Sequence, residues 1–246
     1  MKKKILTIAA ATLLGSLFMS NQLIAQAVSY DSSTKATTDG TVTIVENDNP
    51  DVVVPDPEDP DNPLDPEIPI NPNPGQLRIN YISDFSFGSI KNTASAVTLS
   101  AELDQLWTED GSEVGRVPFV TTEDLRGTSR QGWELRVSQP EQFKDADGNE
   151  LQGASLSIGG LRYASESIAA PTVNPNTIVL NESEQAVATA SSTQGVGLWS
   201  LAIGKANGEG GTDGVTLDIP ANTLKNNTDY TSSIVWELVA DPSATN

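Results

Sequence analysis

An all-β fold, an antiparallel β-sandwich or barrel-like domain after an acidic proline-rich linker, is what this 246-residue sequence predicts. Three observations carry that reading. From Gly75 onward apolar and polar residues alternate in short runs, the period of half-buried strands. Clusters of glycine, proline, asparagine and aspartate separate the runs. No cysteine is present, so the fold rests on a hydrophobic core and not on disulfides.

The chain opens with Lys2, Lys3 and Lys4, an apolar run from Ile5 to Met19, and the small-x-small pattern Ala25-Gln26-Ala27. Residues 1–27 therefore read as a secretory signal peptide. The apolar run is shorter than the ~20 residues that span a bilayer, so no membrane insertion is expected after signal removal. Losing the three lysines takes the net charge from −19 to −22. The remaining cations never cluster, which excludes nucleic acid, a partner that needs a basic stripe. With neither cysteine nor histidine, the chain lacks the thiol and imidazole groups that serve as nucleophiles, bases and metal ligands. No metal site, cofactor or catalytic residue is indicated.

Residues 28–48 are rich in serine and threonine. An Asp39-Gly40 turn signal precedes a strand-like patch at Val42 and Ile44, which reads as an isolated strand able to dock on the domain that follows. Residues 49–74, "NPDVVVPDPEDPDNPLDPEIPINPNP", hold nine of the fifteen prolines and no basic residue. Proline lacks a backbone donor and fixes φ, and the carboxylates repel one another, so the expectation is an extended spacer that does not pack.

Residues 75–246 form the all-β domain. "QLRINYISDFSFGSI" alternates through Leu77, Ile79 and Tyr81 and on to Phe85 and Phe87. Similar runs follow in "RVPFV", "WELRVS", "ASLSIGGL", "NTIVL", "GLWSLAIG", "GVTLDIP" and "YTSSIVWELV". Two segments, "TASAVTLSAELDQLW" and "ESEQAVATA", leave helix open, although their threonine, serine and valine content suits strands or loops. "DADGNE" spaces Asp145, Asp147 and Asn149 like a calcium loop, but Glu150 and Leu156 stand where that loop needs glycine and an acid. A turn is expected there. "GKANGEGG" lacks the Lys-Ser/Thr ending of a phosphate cradle and reads as a loop.

The tripeptide Trp-Glu-Leu occurs twice, at Trp133–Leu135 and Trp236–Leu238, in a chain with four tryptophans. A related word, Trp199-Ser200-Leu201, lies between them, and Trp107 stands outside the pattern. In a strand, residues two apart share a face, so Trp133, Leu135 and Val137 form one apolar face. Trp236 and Leu238 form another with Ile234. Such residues read first as core, most of all Trp236, whose strand is apolar on both faces. The alternative is a groove in which aromatic faces stack on sugar rings. A chain this acidic is expected to be repelled by an anionic wall, and wall binding that fell with salt would point instead to local cations such as Arg130 and Arg136.

These words, with "ADP" after the second, "GQLRINYISDFSFGSI" after an Asp-Pro run, "ELQGASLSI" and "GVTLDIPANTLKNNTDYTSSIVWEL", resemble the WxL-domain surface proteins of Gram-positive bacteria over about residues 38–241. The resemblance implies a secreted domain attached non-covalently to the cell wall through peptidoglycan. It also implies companion WxL-cluster surface proteins, one of them membrane-anchored, as partners. It marks Trp133, Leu135, Trp236 and Leu238, and more weakly Trp199 and Leu201, as wall-binding or fold-defining residues. Two other functions stay open from the residues alone. A wall glycosidase would use paired carboxylates, and a host-facing adhesin would bind matrix instead of wall.

Overall fold

In the computed structural model of the chain, residues 29–46, 52–65, 70–165 and 167–242 are described, and they divide into two compact units between Val45 and Glu46. The expected signal peptide and parts of the proline run lie outside the described residues. In the first unit, β1 (Ser29–Ser32) and β2 (Lys35–Thr37) form an antiparallel hairpin. The patch expected to be a strand is not one. Val42, Ile44 and Val45 stand exposed at 86%, 90% and 78%, because apolar alternation becomes a strand only against a partner edge and a core.

The second unit continues with β3 (Val54–Pro55), β4 (Pro63–Asp65), β5 (Leu77–Ile82), β6 (Val97–Glu102), β7 (Asp104–Thr108), β8 (Glu113–Arg116) and β9 (Phe119–Asp124). Then come β10 (Gly132–Ser138), β11 (Ser155–Ile158), β12 (Leu161–Arg162), β13 (Thr172–Val173) and β14 (Ile178–Val179). The series ends with β15 (Gln185–Ser191), β16 (Gly197–Ile203), β17 (Gly211–Ile219) and β18 (Val235–Ala240). They make four four-stranded sheets, ordered β13-β15-β10-β18, β14-β11-β17-β6, β12-β16-β9-β5 and β3-β4-β7-β8. Every pairing in them is antiparallel. The all-β expectation holds, and both segments with helical character are strands: the first supplies β6 and β7, the second β15.

Three of the sheets share one core. Trp133, Leu135 and Val137 of β10, Leu156 and Ile158 of β11, Val215 of β17 and Leu201 of β16 are all buried in it. Strand β9 is buried on both faces. Val120 belongs to the main core, whereas Phe119 turns the other way into a second cluster with Val54, Leu64, Tyr81 and Leu106.

That second cluster corrects the reading of the proline run. Its described part packs: Val54 and Leu64 are buried, and Arg116 holds the buried Asp56 carboxylate at 2.6 Å. The Pro55 carbonyl accepts a 2.6 Å hydrogen bond from Ser200 Oγ. Proline is tolerated in β3 and β4 because these strands are short and lie at and next to a sheet edge. Their carboxylates are not all left to repel one another. The apolar residues between the prolines, which composition hides, do the packing. Leu64→Ala is therefore expected to cost about 2–5 kcal/mol, as buried leucine truncations do. An unchanged denaturant midpoint would restore the unpacked spacer.

Candidate functional site

The two Trp-Glu-Leu words are neighbours. Strands β10 and β18 pair so that Leu135 lies opposite Leu238, Val137 opposite Trp236 and Trp133 opposite Ala240. Partners in an antiparallel pair share a face, so both tryptophans point to the same side, one at each end of the ladder. Their burial differs. Trp133 is 0% exposed, and its indole donates to the Gly195 carbonyl at 3.2 Å. Trp236 and Leu238 are half-buried against the same core, since β18 is the edge strand of its sheet. The expectation that Trp236 would be the firmer core residue is thus reversed. Apolar residues on both faces of its strand mark an edge beside an open recess and not a central position, for Val235 is exposed.

Two glycines fit the first word into place, and the sequence reading passed over both. Gly132 has φ 115°, and a Cβ there would collide with the Ala190 carbonyl. Gly195 has φ 65°, and a Cβ would come within 2.8 Å of the Trp133 indole nitrogen. A glycine bordering a short alternating run is the sequence signal in each case, and the positive φ is what requires it.

A charged clasp ties the ends of the ladder together. Asp124, at the end of β9, accepts from Arg126 Nε at 2.9 Å and from Arg130 Nη1 at 3.0 Å. Arg126 also donates to the Gly132 carbonyl at 2.6 Å and to Asp241 at 3.1 Å. Asp241, the aspartate of the "ADP" that follows the second word, accepts from the Gln131 backbone N–H at 2.8 Å and donates its own N–H to the Gly132 carbonyl at 3.0 Å. Burial works against the Asp124 charge, but the Arg126 hydrogen bonds and the two guanidiniums outweigh it and hold its pKa below the usual carboxylate range. Arg130 is therefore a buried structural cation, and Arg136 pairs with Glu134 at 2.5 Å and Glu184 at 3.1 Å. Neither is the free cation that the sequence reading offered to an anionic wall.

The third word behaves differently. Leu201 is buried in the main core, while Trp199 is half-buried, edge-to-face with Tyr163 at 5.7 Å. Its indole donates to the Val196 carbonyl at 2.9 Å. Trp199 thus lies in a different sheet from the paired words. Trp107 is half-buried in β7, in the sheet formed with the proline run.

Beside Trp236 lies a cleft of about 1250 Å³. Its floor is the core laid open: Leu99, Leu217, Ile219 and Phe143 are among its lining residues. Three sheet edges surround it, because β18, β5 and β6 each end their sheets and contribute Trp236, Ile82 and Leu99 to the lining. Beyond β5 the chain runs on without pairing as a strand, so Phe85 and Phe87, expected to continue the alternation, instead line this cleft half-buried.

One lip carries amides and hydroxyls. Asn92 donates to Asn227 at 2.8 Å, and the Tyr230 hydroxyl accepts from the Asn226 backbone at 2.7 Å. Asn226 also donates to Asp145 at 2.8 Å. Asp145 accepts from Asn149 and from the Asp147 backbone as well, and these hydrogen bonds bring its pKa down to about 2. "DADGNE" is accordingly a turn that steadies the lip. Among the described residues no group of three or more His, Cys, Asp or Glu could hold a metal ion.

A family model described as "WxL domain surface cell wall-binding" matches residues 31–242. No curated protein and no solved structure matches the chain.

Proposed function

We propose that this chain, which belongs to the WxL family of cell-wall-binding surface domains, is secreted and held at the bacterial surface by non-covalent binding to peptidoglycan, without cleaving it. The observation that carries the reading is the unequal placement of the paired tryptophans. Trp133 is sealed in the core, whereas Trp236 borders an open cleft whose lip is rich in amides and hydroxyls. Sugar rings are recognised by such a pairing, an apolar face for stacking and a few placed polar groups for the hydroxyls. Companion WxL-cluster surface proteins, including a membrane-anchored one, fit the same reading as further partners.

Co-sedimentation with purified peptidoglycan sacculi tests it. The mature protein is expected to pellet with sacculi and to leave no soluble muropeptides. Tyr230→Ala and Trp236→Ala are each expected to reduce pelleting at least ~10-fold, the loss of a contact residue that is central to a site. Release of muropeptides would make the protein a glycosidase. Failure of the wild type to pellet, with retention on host matrix, would make it an adhesin.

A further inference from the structure

We infer that Lys91 and Lys225, on the lip of the cleft beside Trp236, hold a carboxylate of the short peptide that peptidoglycan sugars carry, so that the site reads a peptide-bearing sugar and not bare glycan. The inference rests on the wall binding proposed above and names the group that the same site selects.

Size is the first argument. At about 1250 Å³ the cleft exceeds the ~300–1,000 Å³ of ordinary small-molecule sites. A sugar ring stacked on Trp236 therefore leaves room for more of the wall's repeating unit.

Charge says what that room accommodates. Every arginine described in the second unit is ion-paired, as is Lys144. Lys91, Lys205 and Lys225 make no ion pair among the described residues, and two of these three, Lys91 and Lys225, line the cleft. They take the place of Arg130 and Arg136 as the local cations that meet the wall. In a chain with 33 acids against 14 bases, two cations without a counter-ion in one recess mark a place for an anion, whose charge-assisted hydrogen bonds are the strong ones.

Lys225 is held ready. It is half-buried, and its Nζ donates to the Thr93 and Thr223 carbonyls at 2.7 and 3.3 Å. An ammonium has three donors, so one donor and the charge remain for a ligand. Asn92 donates to the Lys225 carbonyl at 3.3 Å, which joins the segment bearing Lys91 to the one bearing Lys225. Ile90 and Leu224 each precede a lysine and are exposed at 43% and 91%. A carboxylate with a methyl group beside it, as at an alanine that ends a peptide, meets cation and apolar surface together. Asp84 and Asp229 also line the cleft, but neither pairs with a lysine. Asp84 follows directly on β5, where Ser83 is bonded to Phe119, which leaves two cations against Asp229 on this lip. The peptide is favoured over a wall-polymer phosphate because it is attached to the sugar that the same cleft stacks.

Sacculi stripped of wall polymers provide the test, compared before and after their carboxyl groups are converted to amides with carbodiimide and ammonia. Sugars and peptides stay in place. Amidation lowers the negative charge of the wall and by itself favours so acidic a chain, so weaker binding to amidated sacculi reads the local contact. The mature protein is expected to bind untreated sacculi at least ~10-fold more tightly than amidated ones, a preference that shrinks as salt is raised. Lys91→Met, at an exposed position, should lower the preference without moving the melt. Lys91→Met combined with Lys225→Met should bind both sacculi alike. Equal binding of the wild type to both would overturn the inference and leave wall binding standing. So would binding that requires the wall polymers, which points to their phosphate, or a double variant that keeps the preference. A wild type that pellets with no sacculi would overturn wall binding itself, and this inference with it.

Discussion

Trp133→Ala is expected to destabilise the protein by about 3–5 kcal/mol, the usual cost of truncating a buried large aromatic residue. In a domain of this size that is a fall in melting temperature on the order of 10 °C. The side chain is wholly enclosed, and its N–H is satisfied by the Gly195 carbonyl. Any loss of wall binding by this variant should track its unfolding. Trp236→Ala is the contrast: half-buried on an edge strand, it should melt closer to wild type while losing the wall. Thermal melts on both proteins decide the matter. A Trp133→Ala protein that melts like wild type would mean the indole is not a core element.

Asp124→Ala should cost as much, about 3–5 kcal/mol, because it leaves the buried guanidinium of Arg130 and the largely buried one of Arg126 without their shared counter-ion. Asp124→Asn keeps the shape and separates charge from packing. The sign with pH follows from the lowered pKa of the folded state. A carboxyl with a depressed pKa contributes stability that is fully present above its unfolded value of ~3.9 and is lost as pH falls through the folded value. Asp145 adds a similar loss as pH falls toward about 2. Urea midpoints from neutral pH into this acid window should therefore decline in the wild type and decline less in Asp124→Asn. Parallel curves for the two proteins would remove Asp124 from the acid limb.

Strand existence was legible wherever apolar residues alternate at period two. Trp133, Leu135 and Val137 share a buried face as their spacing requires, and the turn at Asp145 follows from residue types unfit for calcium. Pairing was not legible. That Leu135 meets Leu238 is a fact of register between strands far apart in the chain, and no local pattern encodes it. The core rank of Trp236 was misjudged for a related reason: edge and centre differ only in what lies beyond the strand. The proline run misled because its composition is that of a spacer, while its few aliphatic residues, Val54 and Leu64, have a hydrophobic cluster to enter. Asp241 was visible as part of a motif, but its role depends on Arg126 and Gln131, which alternation does not mark.

The ladder between the two tryptophan words also sets an order of events for a chain that folds from the extended state. Strands β10 and β18 stand about a hundred residues apart in sequence, and β11, β14, β16 and β17 lie between them in two other sheets. Closing such a contact carries the entropy of a long loop, and all-β folds dominated by distant pairings form on the scale of milliseconds to seconds, far slower than helical bundles. Before β18 seats, β10 has one hydrogen-bonded neighbour, β15, and the cation–carboxylate clasp lacks Asp241. A chain in that condition is expected to leave the free edge of β10 open to protease until the second tryptophan word closes beside the first.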